Sequence, residues 1–146
     1  MSILNLCDQP VASVSLGATC ADAINVMLER RVGAVCVVDG DGRPAGIFTE
    51  RDVLRKLALS GLDPKAVMVR DYMTSSLDLA TLKTTPGEAF AAMIHTHYRH
   101  LPVVNEQGVL MGILSIRNLL QSKIDELTQQ LDSIEIAMSN DAPGGD

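Results

Sequence analysis

The second half of this chain repeats the first. Shifting the sequence by 66 residues aligns positions 14–54 with 80–120 without a gap. Identical pairs include Leu16/Leu82, Thr19/Thr85, Ala23/Ala89, Met27/Met93, Val37/Val103, Gly42/Gly108, Gly46/Gly112, Ile47/Ile113 and Arg51/Arg117, with Thr49/Ser115 and Asp52/Asn118 as conservative pairs. Apolar periodicity alone does not keep Gly, Thr and Arg in step, so the chain carries an internal duplication, and the fold must be built from two like units.

Each unit reads alike. Thr19 to Asp22 and Thr85 to Glu88 form helix N-cap patterns with an acidic residue three positions on. Ala23, Ile24, Met27 and Leu28 follow at helical spacing, as do Ala89, Phe90, Met93 and Ile94. A buried strand comes next, Ala34 to Val38 or Leu101 to Val104. The turns Asp39-Gly-Asp-Gly42 and Asn105-Glu-Gln-Gly108 return the chain into a second strand, Ala45 to Phe48 or Met111 to Leu114. A second helix begins at Thr49 or Ser115. Residues Ser60 to Val69, with Gly61 and Pro64, link the halves. One such unit has too little core to stand alone, so the two are expected to bury their sheets against each other about a pseudo-twofold axis, in an α/β (α+β) fold.

Composition narrows the function classes. The net charge of −6 argues against a nucleic-acid partner and against docking on an anionic membrane. Trp is absent and Phe and Tyr number two each, so the core relies on branched aliphatics and Met. Cys7, Cys20 and Cys36 are odd in number and form no CxxC pair, which suggests buried free thiols in a reducing compartment. The N-terminus shows no basic region followed by an apolar run, and no apolar stretch approaches a membrane span. A soluble, cytoplasmic protein is expected.

The run Gly46-Ile-Phe-Thr49-Glu-Arg-Asp52, following Ala34-Val-Cys-Val-Val38, resembles the CBS-domain signature Gly-apolar-apolar-Thr/Ser-x-x-Asp. The second copy reads Gly112-Ile-Leu-Ser115-Ile-Arg-Asn118 after Arg99-His-Leu-Pro-Val103, and Asp71-Tyr-Met-Thr74 looks like the segment that leads into many CBS repeats. The resemblance covers about residues 5 to 122. It implies a Bateman module of two tandem β-α-β-β-α repeats over residues 5–60 and 70–122. Beyond it, the apolar spacing places a C-terminal helix over 123–138, and the small, acidic, Gly- and Pro-containing residues place a flexible tail over 139–146. It also implies clefts between the repeats that take adenosine derivatives.

The residues are chemically suited to that role. A Thr or Ser hydroxyl at a strand-to-helix turn lies beside unpaired backbone N–H groups that suit a phosphate. An Asp three residues on faces the same way, and its two oxygens can accept from both hydroxyls of a ribose. Arg51 and Arg117 can neutralise phosphate, which favours a phosphorylated ligand. Carried over from the family, a first site combines Thr49, Arg51 and Asp52 with Leu77, Asp78, Arg99, His100 and Pro102. A second combines Ser115, Arg117 and Asn118 with Val11, Ala12, Gly33, Ala34 and Cys36. Asn118 lacks the charge of Asp, and Gly33 and Ala34 stand where the first site has Arg99 and His100, so the second site is expected to be the weaker. The competing reading makes Thr49 and Ser115 plain N-caps, with Asp52 and Asn118 as first-turn residues.

His95, His97 and His100 run from a helix into a strand with no Cys or carboxylate at ligand spacing, so no metal is expected. Leu120, Ile124, Leu127, Leu131, Ile134 and Met138 form a heptad seam on a helix from about Ile116 to Met138, suited either to a homodimer or to folding back on the module. No nucleophile, base or phosphate loop assembles into an enzyme site, and no catalytic cofactor is implied. The expected function is regulatory binding of an adenine nucleotide (AMP, ADP or ATP), passed on to an unknown partner protein. The alternatives are a dimerisation module with degenerate sites, or a sensor of S-adenosylmethionine or NAD.

Overall fold

The computed structural model describes residues 2–141. In the first repeat, β1 (Ser13–Ser15) leads into α1 (Cys20–Arg30), then β2 (Ala34–Val38), β3 (Pro44–Thr49) and α2 (Glu50–Asp52), which widens into a π-helical turn over Val53–Leu57. The second repeat keeps the order: β4 (Ala80–Thr81), α3 (Pro86–Thr96), β5 (His100–Val104), β6 (Leu110–Ser115) and α4 (Ile116–Asp141). Each repeat holds a three-stranded sheet in which the first strand pairs parallel to the second and the second antiparallel to the third.

The duplication extends to single hydrogen bonds. In the β2–β3 turn, Asp39 Oδ1 accepts from the N–H groups of Asp41 and Arg43 at 2.9 and 3.0 Å, and Gly42 takes φ 79°. In the β5–β6 turn, Asn105 Oδ1 accepts from Gln107 and Val109, both at 3.0 Å, and Gly108 takes φ 80°. An Asx side chain closing the turn and a glycine in the left-handed region explain why these positions kept step. Thr19 with Asp22, and Thr85 with Glu88, form reciprocal capping boxes at the starts of α1 and α3. Each such cap contributes about 1 kcal/mol.

Two apolar cores follow, one per repeat, and each incorporates a piece of the other half. Ile3 and Cys7, which precede the first repeat, pack with Met93, Leu101, Val103 and Leu114 of the second. Val69, with Val67, Tyr72 and Met73 around it, packs with Met27, Val35, Val37 and Phe48 of the first. The lead-in segments are therefore exchanged across the pseudo-twofold. Gly46 and Gly112 make the exchange possible: a Cβ at Gly46 would collide with Met73, and one at Gly112 would lie 2.9 Å from the Cβ of Cys7.

The 60–69 segment is more than a connection. Pro64 and Val67 carbonyls accept from the Ala21 and Cys20 N–H groups at 2.9 Å, and Val69 N–H donates to Ala18 O at 3.0 Å. The linker thus satisfies open donors at the start of α1. At the other end α4 runs unbroken from Ile116 to Asp141, so the last helix of the second repeat and the C-terminal extension are one element. This helix continues past Met138 into the stretch expected to be a flexible tail; residues 142–146 of that tail lie outside the described residues. Leu119 is buried, whereas Leu120, Ile124, Leu127, Leu131, Ile134 and Met138 are all exposed. The seam therefore does not fold back onto the module. Among the described residues no helix is long and apolar enough to cross a membrane.

Candidate functional site

Thr49 ends β3 in extended backbone and caps α2. Its Oγ accepts from Asp52 N–H at 3.2 Å, and Asp52 Oδ2 accepts from Thr49 N–H at 3.0 Å and stands 3.2 Å from Thr49 Oγ. The capping reading therefore holds for this pair, but it engages only one carboxylate oxygen. Asp52 Oδ1 points away from the cap to Lys56 Nζ at 3.2 Å, and Lys56 also donates to Tyr72 O at 2.7 Å. In the second repeat Asn118 N–H donates to Ser115 Oγ at 3.0 Å, keeping half of the box. The Asn118 amide turns instead to the N-terminal segment, donating to Leu6 O at 3.1 Å and Asp8 Oδ1 at 3.2 Å.

Both motifs open into clefts between the repeats. The first, about 420 Å³, brings Thr49, Arg51 and Asp52 together with Arg99 and His100, and adds Thr74, Thr96 and His97. The second, about 280 Å³, brings Ser115, Arg117 and Asn118 together with Ala12, Gly33 and Ala34, and adds Asp8, Arg30 and Arg31. The additions are themselves related by the 66-residue shift, Asp8 to Thr74, Arg30 to Thr96 and Arg31 to His97. Arg31 and His97 each close a first helix of their repeat in the left-handed region, at φ 54° and 61°. Backbone of this kind in a non-glycine residue is rare and concentrates at binding sites.

Five of the residues expected from the family do not line these clefts. Pro102 lies two residues beyond His100 on β5, and Cys36 two beyond Ala34 on β2, so each sits roughly 7 Å deeper along its strand and is fully buried. Leu77 and Asp78 are outside the first cleft, because Thr74, antiparallel to Ile47 with hydrogen bonds of 2.9 Å in both directions, is the part of that segment held at the cleft. Val11 gives way to its neighbour Ala12, whose carbonyl accepts from Cys36 N–H at 3.0 Å. Of the lining residues not foreseen from the sequence, Thr74, Thr96, His97, Asp8, Arg30 and Arg31 come from the helix ends and the lead-in segments, and Ile47 and Ile113 from the strands β3 and β6. The 66-residue shift is the signal by which each could have been paired.

The charge of the clefts opposes that of the chain. Four cationic side chains face two carboxylates in each: Arg51, Arg55, Lys56 and Arg99 against Glu50 and Asp52 in the first, and Arg30, Arg31, Arg99 and Arg117 against Asp8 and Glu50 in the second. A protein of net charge −6 thus gathers more cationic than acidic side chains at both clefts. Arg99, His100, Gly33 and Glu50 line both clefts, so the two are contiguous. Burial, aided by the charge of Arg99, pushes the His100 imidazole down to about 4, so it is neutral near pH 7 and offers one donor and one acceptor nitrogen. Burial pushes the Cys36 thiol up to about 12, so it is an unreactive core side chain.

The CBS domain family matches residues 3–59 and 69–125. An uncharacterized 17.7 kDa protein of Acidianus ambivalens is 34% identical over 117 residues, covering 80% of this chain and 70% of its own length. The mitochondrial CBS domain-containing protein CBSX3 of Arabidopsis thaliana is 34% identical over 77% of this chain and 56% of its own length, so the chain spans little more than half of that relative. Among solved structures, a CBS-domain containing protein from Agrobacterium tumefaciens superposes with a TM-score of 0.73 at 29% identity, covering 84% of this chain and 99% of that one. A CBS domain protein from Pyrobaculum aerophilum complexed with AMP superposes with a TM-score of 0.74 at 28% identity, covering 81% and 89%. Two matched repeats, exchanged lead-in segments and paired clefts make this chain a member of the CBS domain family, as a tandem pair.

Proposed function

We propose that this chain is a regulatory module that binds adenine nucleotides in its two inter-repeat clefts and transmits occupancy to a partner protein, without chemistry of its own. The observation that carries this reading is the pair of cationic clefts, each placing a motif hydroxyl at a helix start beside arginines from both repeats. The AMP complex of the Pyrobaculum relative supports adenosine as the shared element. Phosphate goes to the Thr49 or Ser115 turn and the arginines. In the first cleft, ribose goes to Asp52 Oδ1, which lies outside the capping box and keeps one lone pair beside its contact with Lys56. The adenine lies against Ile47 and Tyr98, or against Ala12 and Ile113 in the second cleft. The first cleft, about 420 Å³, lies in the lower part of the range for small-molecule sites, and the second, about 280 Å³, just below it.

The exposed apolar seam of α4 supports a homodimer, since single helices seldom leave a heptad of aliphatics in water. Occupancy and assembly then meet at β6, which carries Ser115 into the second cleft and continues directly into α4.

Calorimetric titration with AMP, ADP, ATP, S-adenosylmethionine and NAD tests the reading. Binding of at least one phosphorylated adenosine ligand, weakened about tenfold or more in Asp52→Ala, is the expected result. A chain that binds none of them, or an Asp52→Ala variant that binds as tightly as the parent, removes it. In the first of these cases, the dimerisation module without ligand sites is the reading that remains.

A further inference from the structure

The two clefts differ at the position that reads ribose. Asp52 in the first repeat corresponds to Asn118 in the second, and on the motif alone the second cleft has lost its carboxylate. The structure returns one from elsewhere. Asp8 lines the second cleft, with Oδ1 at 3.2 Å from Asn118 Nδ2, and its 66-residue counterpart Thr74 lines the first. At the same pair of positions, the first cleft thus carries a hydroxyl at 74 and a carboxylate at 52. The second carries a carboxylate at 8 and an amide at 118. The acidic group has moved from the motif to the exchanged lead-in segment facing it.

From this exchange we infer that Asp8 is the ribose-binding carboxylate of the second cleft, and that this cleft is a competent nucleotide site rather than a degenerate one. The inference rests on the reading of the clefts as adenine-nucleotide sites. Asn118 fixes the segment through Leu6 O and holds one Asp8 oxygen, which leaves Oδ2 and the second lone pair of Oδ1 free to accept from the 2′ and 3′ hydroxyls. No protein group donates to Asp8 other than Asn118 among the described residues, and Asp8 stays exposed at the cleft mouth. Asp52 by contrast has its free oxygen already paired with Lys56. The position equivalent to Lys56 is Ser122, so the Asp8 carboxylate meets no lysine rival from that direction.

The test is titration of the full chain with AMP and with 2′-deoxy-AMP, followed by calorimetry and by backbone amide NMR. The amides of Ala12 and Ser115 report the second cleft, and those of Thr49 and Thr74 the first. The parent is expected to take two AMP molecules. Asp8→Asn is expected to weaken the event seen at Ala12 and Ser115 by about 10- to 100-fold, the range for a lost hydrogen bond to a charged group, and to leave the Thr49 event in place. Loss of the 2′ hydroxyl should weaken the second event in the parent and have no further effect in Asp8→Asn. The double variant D8T/N118D, which restores the arrangement of the first cleft, should recover AMP binding. The inference is overturned if the Ala12 and Ser115 event is absent from the parent, is indifferent to Asp8→Asn, or does not sense the 2′ hydroxyl; the last needs no variant to fold. In all three cases AMP binding at Thr49 leaves the broader reading standing, whereas a parent that binds no phosphorylated adenosine ligand at either cleft removes both.

Discussion

Arg31 and His97, 66 residues apart, hold the same left-handed backbone at the end of the first helix of their repeats, and each lines a different cleft. The strain is reproduced by the duplication although the side chains differ. A purely structural demand at this turn would favour glycine, which pays no penalty there.

Arg31→Gly is accordingly expected to stabilise the fold, by about 0.5–1 kcal/mol, because it relieves the left-handed backbone. It should at the same time weaken ATP binding at the second cleft, where one of four arginines is lost. Urea denaturation and calorimetric titration measure the two effects on one sample. A variant that is destabilised and binds normally would make Arg31 a structural residue only.

The Thr49 cap and the Asp52 carboxylate can be separated. Thr49→Ala removes a cap worth about 1 kcal/mol and frees Asp52 Oδ2 from the hydroxyl, while the carboxylate itself remains. Lys56→Met removes the ion pair to Asp52, worth at most about 1 kcal/mol, together with the hydrogen bond to Tyr72 O. Both variants are expected to melt below the parent. Nucleotide binding should fall in Thr49→Ala, which loses both hydroxyl and orientation, and equal stability losses with unchanged affinity would contradict the placement of phosphate at this turn.

His100 makes stability depend on pH with a definite sign. Its folded value of about 4 lies below the unfolded value near 6.5, so the unfolded chain binds the extra proton between them. The contribution is complete above about pH 6.5 and is lost as pH falls toward 4, with a slope of up to about 1.4 kcal/mol per pH unit from this group. The difference in unfolding free energy between the parent and His100→Gln, followed from pH 7.5 to 4.5, isolates it from the carboxylates. A difference that is constant across the window would show that burial does not depress this histidine.

The α4 seam predicts the assembly state. Leu127 and Leu131 are 46% and 63% exposed in the single chain, and both lie on the heptad stripe. The parent should sediment as a dimer at micromolar concentration, and the double variant Leu127→Glu/Leu131→Glu as a monomer with its AMP affinity at the first cleft unchanged. A monomeric parent would leave the seam for a different protein.

Much of this molecule is legible along the chain. Capping boxes, Asx turns and apolar periods act over a few residues, so Thr19 with Asp22, Asp39 with Arg43, and the strands Ala34–Val38 and Pro44–Thr49 follow from local chemistry, and the duplication tells that they occur twice. The glycines that align at Gly46 and Gly112 even mark where two segments of the chain must touch. Which segment touches there is another matter. That Cys7 packs on Gly112, that Asp8 meets Asn118 across 110 residues, and that Arg99 serves both clefts depend on the lead-in segments crossing to the opposite repeat. Local propensity does not encode that crossing. It arises because each half buries a complete core only with a segment of the other, and the same closure that completes the cores carries the charged residues of one repeat into the cleft of its twin.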